Sequence, residues 1–357
     1  MTDHPIEDAL EKVFGRAPEA TARVPGRVNL IGEHIDYNGG TVLPAALDKF
    51  VRVALAPSES QTFSIKSAKF GDIALRDAGA PKQNGWADYA AGALNKAREL
   101  GWLKAGADLY IDSAVPDGAG ASTSAALITA ILRATADLAD AETDPVEIAQ
   151  HARAVENDYI GMPCGIMDQM AVGLCTPGTA LALNTHDLSC DVIDIPEDWA
   201  LLTIHSGVRR ELADGRYRAR FEECQAAAKA LGTETLCLLT NDQLEAAEKL
   251  PAPLRKRTRH VVTEHARTLA AIEAMKSGDM DAFARLMNES HESYSRDFEA
   301  STPKVDALIA SALQMGAKGA RLTGGGFGGC LVILLPAADQ DAWAKRFLSE
   351  HPGTRRI

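Results

Sequence analysis

The apolar positions of residues 5–14 fall on one helical face, and the segment predicts a short amphipathic helix. Short apolar runs at 27–31, 50–56 and 63–65 read as strands, and ADLYIDSAV (107–115) alternates as a half-buried strand does. Residues 86–100 predict a helix between them. A Pro/Gly loop after Val115 opens an alanine-rich helix over 122–139. Asp144 followed by Pro145 is a capping residue followed by proline at the first helical position, so a helix starts there and runs to about Ile160. Strand-like runs follow at 179–184, 191–195 and 200–205. Helical spacing then dominates over 217–231, 242–250, 255–276, 280–291 and 304–314. The sequence closes with 320–323, a glycine cluster, the apolar strand 330–335 and a helix from about Asp339. Strands and helices do not alternate regularly, which predicts an α+β fold rather than a doubly wound sheet.

With 357 residues the chain is too long for one simple core, and two domains are expected, 1–188 and 189–357. The boundary is placed in the polar stretch 185–195. Residues 1–188 would carry the motif at 26–44 and the loop at 115–127; residues 189–357 would carry the glycine-rich cluster at 323–329. The formal net charge of −12 argues against a nucleic-acid partner. The basic run 255–259 (RKRTR) reads as the solvated face of a helix. Six cysteines are scattered without a CxxC pair, so neither a disulfide framework nor a zinc site is expected, and a reducing, cytoplasmic setting fits. The polar N-terminus is not a signal peptide, and no apolar run approaches the roughly 18 residues of a membrane span.

Three segments carry candidate chemistry. In VPDGAGASTSAAL (115–127) a strand ends and a helix begins, with Gly118 and Gly120 removing Cβ atoms from the turn and Ser122 or Ser124 available as a cap. The N–H groups and positive end of such a helix form an anion site, and the small residues at 121–125 leave room for a triphosphate. A ligand-free capped helix fits the same residues. No Gly-Lys-Ser/Thr follows, so this is not a Walker loop. TGGGFGG (323–329) contains GxGxxG, but the strand-like CLVILL follows where a dinucleotide motif needs a helix. The glycines instead predict positive φ, or close backbone packing. Asp168 lies in the apolar, helix-prone CGIMDQ (164–169), either as a partnered core residue or as a catalytic base. Glu156 reads by itself as a surface acid. Residues 26–44 (GRVNLIGEHIDYNGGTVLP) gather Arg27, Glu33, His34 and Asp36, which can donate to and accept from sugar hydroxyls. A strand with a polar turn at Asn38-Gly39-Gly40 is the simpler reading.

Taken in order, these segments resemble the three motifs of the GHMP small-molecule kinases, and 26–44 is similar to the galactokinase signature in particular. Residues 156–169, 206–217 and 259–297 extend the likeness over almost the whole chain. The resemblance implies a two-domain GHMP kinase fold with the active site between the domains. It implies transfer of the ATP γ-phosphoryl group to the anomeric hydroxyl of galactose, giving galactose 1-phosphate and ADP. It carries over Asp168 as base and Arg27 as transition-state stabiliser. Glu33, His34, Asp36, Gly165 and Tyr217 carry over as sugar contacts, and Gly118, Ala119, Gly120, Ala121, Ser122, Thr123 and Ser124 as the ATP loop. Ser124 and Glu156 carry over as Mg2+ ligands. The partners implied are a sugar and ATP, with no nucleic acid or membrane, and a monomer is expected. Ile35 stands where many galactokinases have threonine, a pattern similar to that of N-acetylgalactosamine kinases and yeast-type galactokinases. The alternatives are a kinase of a related sugar and a non-catalytic galactose/ATP sensor; the residues at 124–126, 156 and 168 speak against the sensor.

Overall fold

The computed structural model describes residues 5–116, 120–162, 164–208 and 215–357. In chain order the first elements are α1 (Ile6–Phe14), β1 (Ala20–Asn29), β2 (Thr41–Val42), β3 (Pro44–Ser58), β4 (Thr62–Ser67), β5 (Ala74–Asp77), α2 (Asp88–Glu99) and β6 (Gly106–Ser113). Then come α3 (Thr123–Leu138), α4 (Pro145–Ala154), a π-helical turn (Val155–Ile160), α5 (Met167–Leu174), β7 (Thr179–Asn184), β8 (Cys190–Asp194) and β9 (Trp199–His205). The remainder is α6 (Arg216–Leu231), α7 (Asn241–Ala247), α8 (Ala252–Ser277), α9 (Met280–Arg296), α10 (Pro303–Gln314), β10 (Gly319–Leu322), β11 (Cys330–Pro336), α11 (Gln340–Glu350) and β12 (Arg355–Arg356). The irregular mixture is the α+β organisation that the patterning predicts.

The described residues group into two compact units. One is built from residues 5–27, 46–116 and 121–177; the other from Val28–Ala45, Gly120 and Gly178–Ile357.

In the first unit β3 pairs with β1 and runs antiparallel to β6, β6 runs parallel to β4, and β4 antiparallel to β5. Period-2 alternation gives β3 two faces. Val51, Val53 and Leu55 join Leu94 of α2 and Ile128 of α3 in the larger core. Ala54 and Ala56 face the other way and, being small, admit Ile6 and Leu10 of α1. Burying each large apolar side chain contributes about 1.5–3 kcal/mol, so this face is what holds α1 down. The start of α4 is as the sequence predicts: Asp144 accepts from the Val146 N–H at 2.8 Å, with Pro145 at the first helical position. Beyond α4 the backbone widens into the π-helical turn. Gly92 lets that turn lie against α2, because a Cβ there would meet Tyr159 Cδ1 at 2.7 Å and Val155 Cγ1 at 2.9 Å. π-Helical turns recur at functional sites, and this one carries Glu156.

In the second unit the strand order is β10-β11-β9-β12, all antiparallel, with Leu331 opposite Ile204 and Ala320 opposite Ile333. α9 packs on β10 at the bare Gly319, where a Cβ would lie 3.2 Å from Ala284 Cα. β7 pairs with β2 and β8, and Ala45 sits opposite Ala180. The glycine cluster fulfils its expectation. Gly324, Gly326, Gly328 and Gly329 all have positive φ, and a Cβ on Gly326 would lie 2.6 Å from the Ala300 carbonyl. The basic run behaves otherwise than its charge suggests. Arg259 is exposed, but Arg257 is buried and binds the carboxylates of Glu223 and Glu299, each at 2.6 Å. A guanidinium is buried where carboxylates and the Asp297 carbonyl satisfy its fork, and charge density in sequence does not report that. Among the described residues no helix is long and apolar enough to cross a membrane.

Candidate active site

Arg27 and Asp168 are 141 positions apart and meet in the first unit. Both Nε and Nη2 of Arg27 donate to Asp168 Oδ1, at 2.8 and 2.6 Å. The arginine is buried, while the aspartate side chain is 32% exposed, leaving it accessible to a ligand. Contact with the loop before α3 positions Arg27. Its N–H donates to the Ala121 carbonyl at 3.1 Å, and a Cβ on the preceding Gly26 would meet that same carbonyl at 2.9 Å. Only glycine lets β1 and the loop before α3 approach so closely.

Ser122 is the N-cap of α3 but does not act as a side-chain cap. Its backbone is left-handed (φ 55°), and its hydroxyl donates to Asp168 Oδ2 instead. The sequence expectation that Ser122 or Ser124 caps the helix is therefore corrected. Both hydroxyls turn toward acids brought in by tertiary packing, Ser124 donating to Glu156 Oε1 at 2.8 Å. The start of α3 is thus without a side-chain cap from its N-cap residue. Gly120 has φ 73°, Ala121 is buried, and Thr123 donates to the Pro116 carbonyl at 3.3 Å. Gly118 and Ala119 lie outside the described residues.

Glu156 is 5% exposed rather than a surface acid. The π-helical turn aims it inward, where the Gln169 amide donates to Oε2. Burial pushes its carboxyl upward in pKa, Ser124 and Gln169 pull it back, and the Asp168 charge raises it further. Cys164 is pushed up to about 12 by burial and the nearby acids, which removes it as a nucleophile. Gly165 is half-buried in the loop before α5. Among the described residues no group of three or more His, Cys, Asp or Glu could hold a metal by itself.

The remaining sequence candidates lie in the second unit. Glu33 is buried, and three donors hold it: Arg321 Nη1 (2.6 Å) and Asn29 Nδ2 (2.7 Å) on Oε2, and the Gly324 N–H (2.7 Å) on Oε1. Burial raises its carboxyl; Arg321 and the Gly324 N–H oppose this. His34 has φ 62° and both ring nitrogens near tyrosines, Nδ1 at 2.7 Å from the Tyr37 hydroxyl and Nε2 at 3.2 Å from that of Tyr294. The Tyr294 hydroxyl donates to the Gly324 carbonyl at 2.7 Å. Its oxygen is then left to accept from Nε2–H, so a neutral His34 takes the Tyr37 proton at Nδ1. The Tyr217 ring lies 5.2 Å from that of His34 and against Gly325. Asp36 opens a 3-10 turn, and its carbonyl accepts from the Thr185 hydroxyl at 2.7 Å. Ile35 is fully buried, packed against the bare Gly40.

Sequence reasoning missed Gln169, Tyr294, Arg321 and Glu264. A polar or charged residue inside an otherwise apolar strand or helix, as at Arg321 in GARL, is the signal that finds such groups. His260 and Glu264 extend the buried network. Burial pushes His260 down to about 4. Burial would raise Glu264, but His260, Arg321 and Arg267 bring it down to about 2. A ring titrating near 4 is neutral at pH 7, so there the two arginines carry the attraction. Unfolding returns these groups to 6.5 and 4.5, so the unfolded chain takes up protons first as pH falls. The stability they contribute is complete above pH 6.5 and drains away below it. Below pH 4.5 the urea midpoint of Glu264→Gln is expected to fall less with falling pH than that of the wild type; parallel profiles would contradict this.

The galactokinase galactose-binding signature matches residues 8–57, the GHMP kinases N terminal domain 88–175, and the GHMP kinases C terminal 271–352. A galactokinase of Roseiflexus sp. is 38% identical over 339 residues, spanning 92% of this chain and 87% of its own. One of Exiguobacterium sibiricum is 36% identical over 348 residues, spanning 94% and 89%. The crystal structure of Lactococcus lactis galactokinase complexed with galactose matches with a TM-score of 0.91 at 29% identity, covering 99% of this chain and 96% of that one. Methanococcus jannaschii mevalonate kinase, at 0.68 and 19% identity over 94% and 96% of the two chains, shares the fold. With the Arg27–Asp168 pair in place, these matches identify the chain as a member of the galactokinase family of GHMP kinases.

Proposed function

We propose that the chain transfers the γ-phosphoryl group of ATP to the anomeric hydroxyl of galactose, giving galactose 1-phosphate and ADP. The observation that carries this reading is the Arg27–Asp168–Ser122 arrangement at the start of α3. A triphosphate would lie against the N–H groups at that helix end, where the dipole favours negative charge. Asp168 would orient the anomeric hydroxyl and take its proton. The sugar oxygen then bonds to the γ-phosphorus as the bond to the β–γ bridging oxygen breaks, and ADP leaves with that electron pair. Arg27 would hold Asp168 in line and offset the charge growing on the sugar oxygen. Positioning and charge stabilisation of this kind supply most of the catalysis in phosphoryl transfer.

Ser124 and Glu156 fit magnesium, since two adjacent oxygen donors suit an ion that takes its other ligands from phosphates and water. Bound there, the ion would supply charge neutralisation to the phosphates. Glu33, His34, Asp36, Gly165 and Tyr217 are proposed as sugar contacts. Glu33 and His34 would meet the substrate as groups already fixed by protein partners. Six free cysteines support a cytoplasmic setting.

The test is phosphorylation of galactose, N-acetylgalactosamine, glucose and galacturonate side by side, with ADP release as the readout. Galactose is expected to give the highest kcat/KM. Preference for N-acetylgalactosamine would transfer the reading to a related sugar, and no ADP with any of the four would reject a kinase.

A further inference from the structure

β10 presents a guanidinium to the interior of the second unit: Arg321 is fully buried. Nη1 donates to Glu33 Oε2 at 2.6 Å and to the Leu30 carbonyl at 3.1 Å. Nη2 lies 3.9 Å from Glu264, which is also fully buried, on α8. Glu264 in turn accepts from the Gly32 N–H at 2.9 Å and from the Ser290 hydroxyl. The segment from Leu30 to Glu33 is therefore gripped at a carbonyl, an N–H and a carboxylate by charged groups from distant parts of the chain.

Stability alone accounts poorly for this arrangement. Desolvating an arginine and two carboxylates is costly, and well-packed apolar residues commonly do as well or better in such places. Ionic groups do provide one thing that apolar packing does not, a fixed direction for an acceptor. With one oxygen of Glu33 held by Arg321 and Asn29 and the other by the Gly324 N–H, the carboxylate cannot rotate. A carboxylate offers about four lone-pair sites, so the three donors leave one for a further donor.

We propose that Arg321 is a positioning residue for the sugar subsite, acting through Glu33 to aim that carboxylate at a galactose hydroxyl. The proposal rests on the reading of Glu33 as a sugar contact. Arg321 itself touches no substrate, and its influence falls on the sugar rather than on ATP.

The experiment compares Arg321→Met, Arg321→Lys, Glu33→Gln and the double variants Arg321→Met/Glu33→Gln and Arg321→Lys/Glu33→Gln. KM for galactose, KM for ATP, kcat and the thermal midpoint are measured for each. Arg321→Met is expected to raise the galactose KM at least tenfold with the ATP KM within twofold, and Arg321→Lys to recover part of the loss. In the double variants the galactose KM should be no worse than in Glu33→Gln alone. Should Arg321→Met fail to fold, Arg321→Lys and its double variant complete the same cycle. Equal rises in both KM values, or additive losses in the double variant, would make Arg321 a structural brace and overturn the proposal. A Glu33→Gln enzyme with unchanged galactose KM would remove the sugar-contact reading, and the proposal with it. Glu33→Gln impaired but the Arg321 variants intact would refute the proposal alone.

Discussion

Asp168→Asn is expected to lower kcat at least a thousandfold while leaving ATP affinity within a fewfold and the thermal midpoint within a few degrees. The amide keeps the size of the side chain and an oxygen that can still accept from Arg27, so the local packing survives. What disappears is the negative charge and the capacity to take a proton. A positioned acid or base supplies about 10²–10⁴ in rate, and loss of the compensating charge leaves Arg27 facing a neutral amide. Calorimetric titration with ATP and a single-turnover assay for galactose 1-phosphate separate binding from chemistry. Turnover within tenfold of wild type would remove Asp168 from its role.

The second large effect is expected from Glu156→Gln, with the opposite consequence for the fold. The side chain is buried and its carboxyl is raised in pKa chiefly by desolvation. A carboxyl whose folded pKa lies above its unfolded value contributes stability that is complete at low pH and is lost as pH rises through the folded value. At neutral pH and without ligand the neutral glutamine should therefore raise the melting temperature. Activity should move the other way. Glu156 and Ser124 are the two protein oxygens proposed for magnesium, and removing the charge should lower kcat/KM for MgATP by about two orders of magnitude, as expected when a metal loses a charged ligand. Raising free magnesium should restore part of that loss. A destabilised variant with an unchanged magnesium requirement would count against both halves of the argument.

Much of the local structure was legible. The helix beginning at Asp144-Pro145 and the strand at Thr179–Asn184 follow from capping chemistry and alternation, which act within a few residues. The site was only partly so. Resemblance located Arg27, Asp168, Ser124 and Glu156, but residue pattern by itself read Glu156 as a surface acid. The π-helical turn that buries it packs against Gly92, and nothing in the periodicity near Glu156 records that contact. Ser122 looked like a helix cap because capping is a local rule; its partner, Asp168, stands 46 positions away. Arg321 shows only as a charge inside an apolar strand; its partner Glu33, 288 positions away, could not be read from the sequence.

The second unit draws its first segment, Val28–Ala45, from near the beginning of the chain and its closing strands from near the end. Asn29 hydrogen-bonds the Thr323 hydroxyl across 294 positions of sequence. On a ribosome adding roughly 5–20 residues per second, this early segment waits roughly 15–60 s for its partners. During that interval Leu30, Ile31 and Ile35, all fully buried in the finished molecule, lack the strands and glycine cluster that close their unit. Nascent chains stalled before β10 should therefore recruit holdase chaperones to residues 28–45, and release should follow synthesis of β10, the glycine cluster and β11.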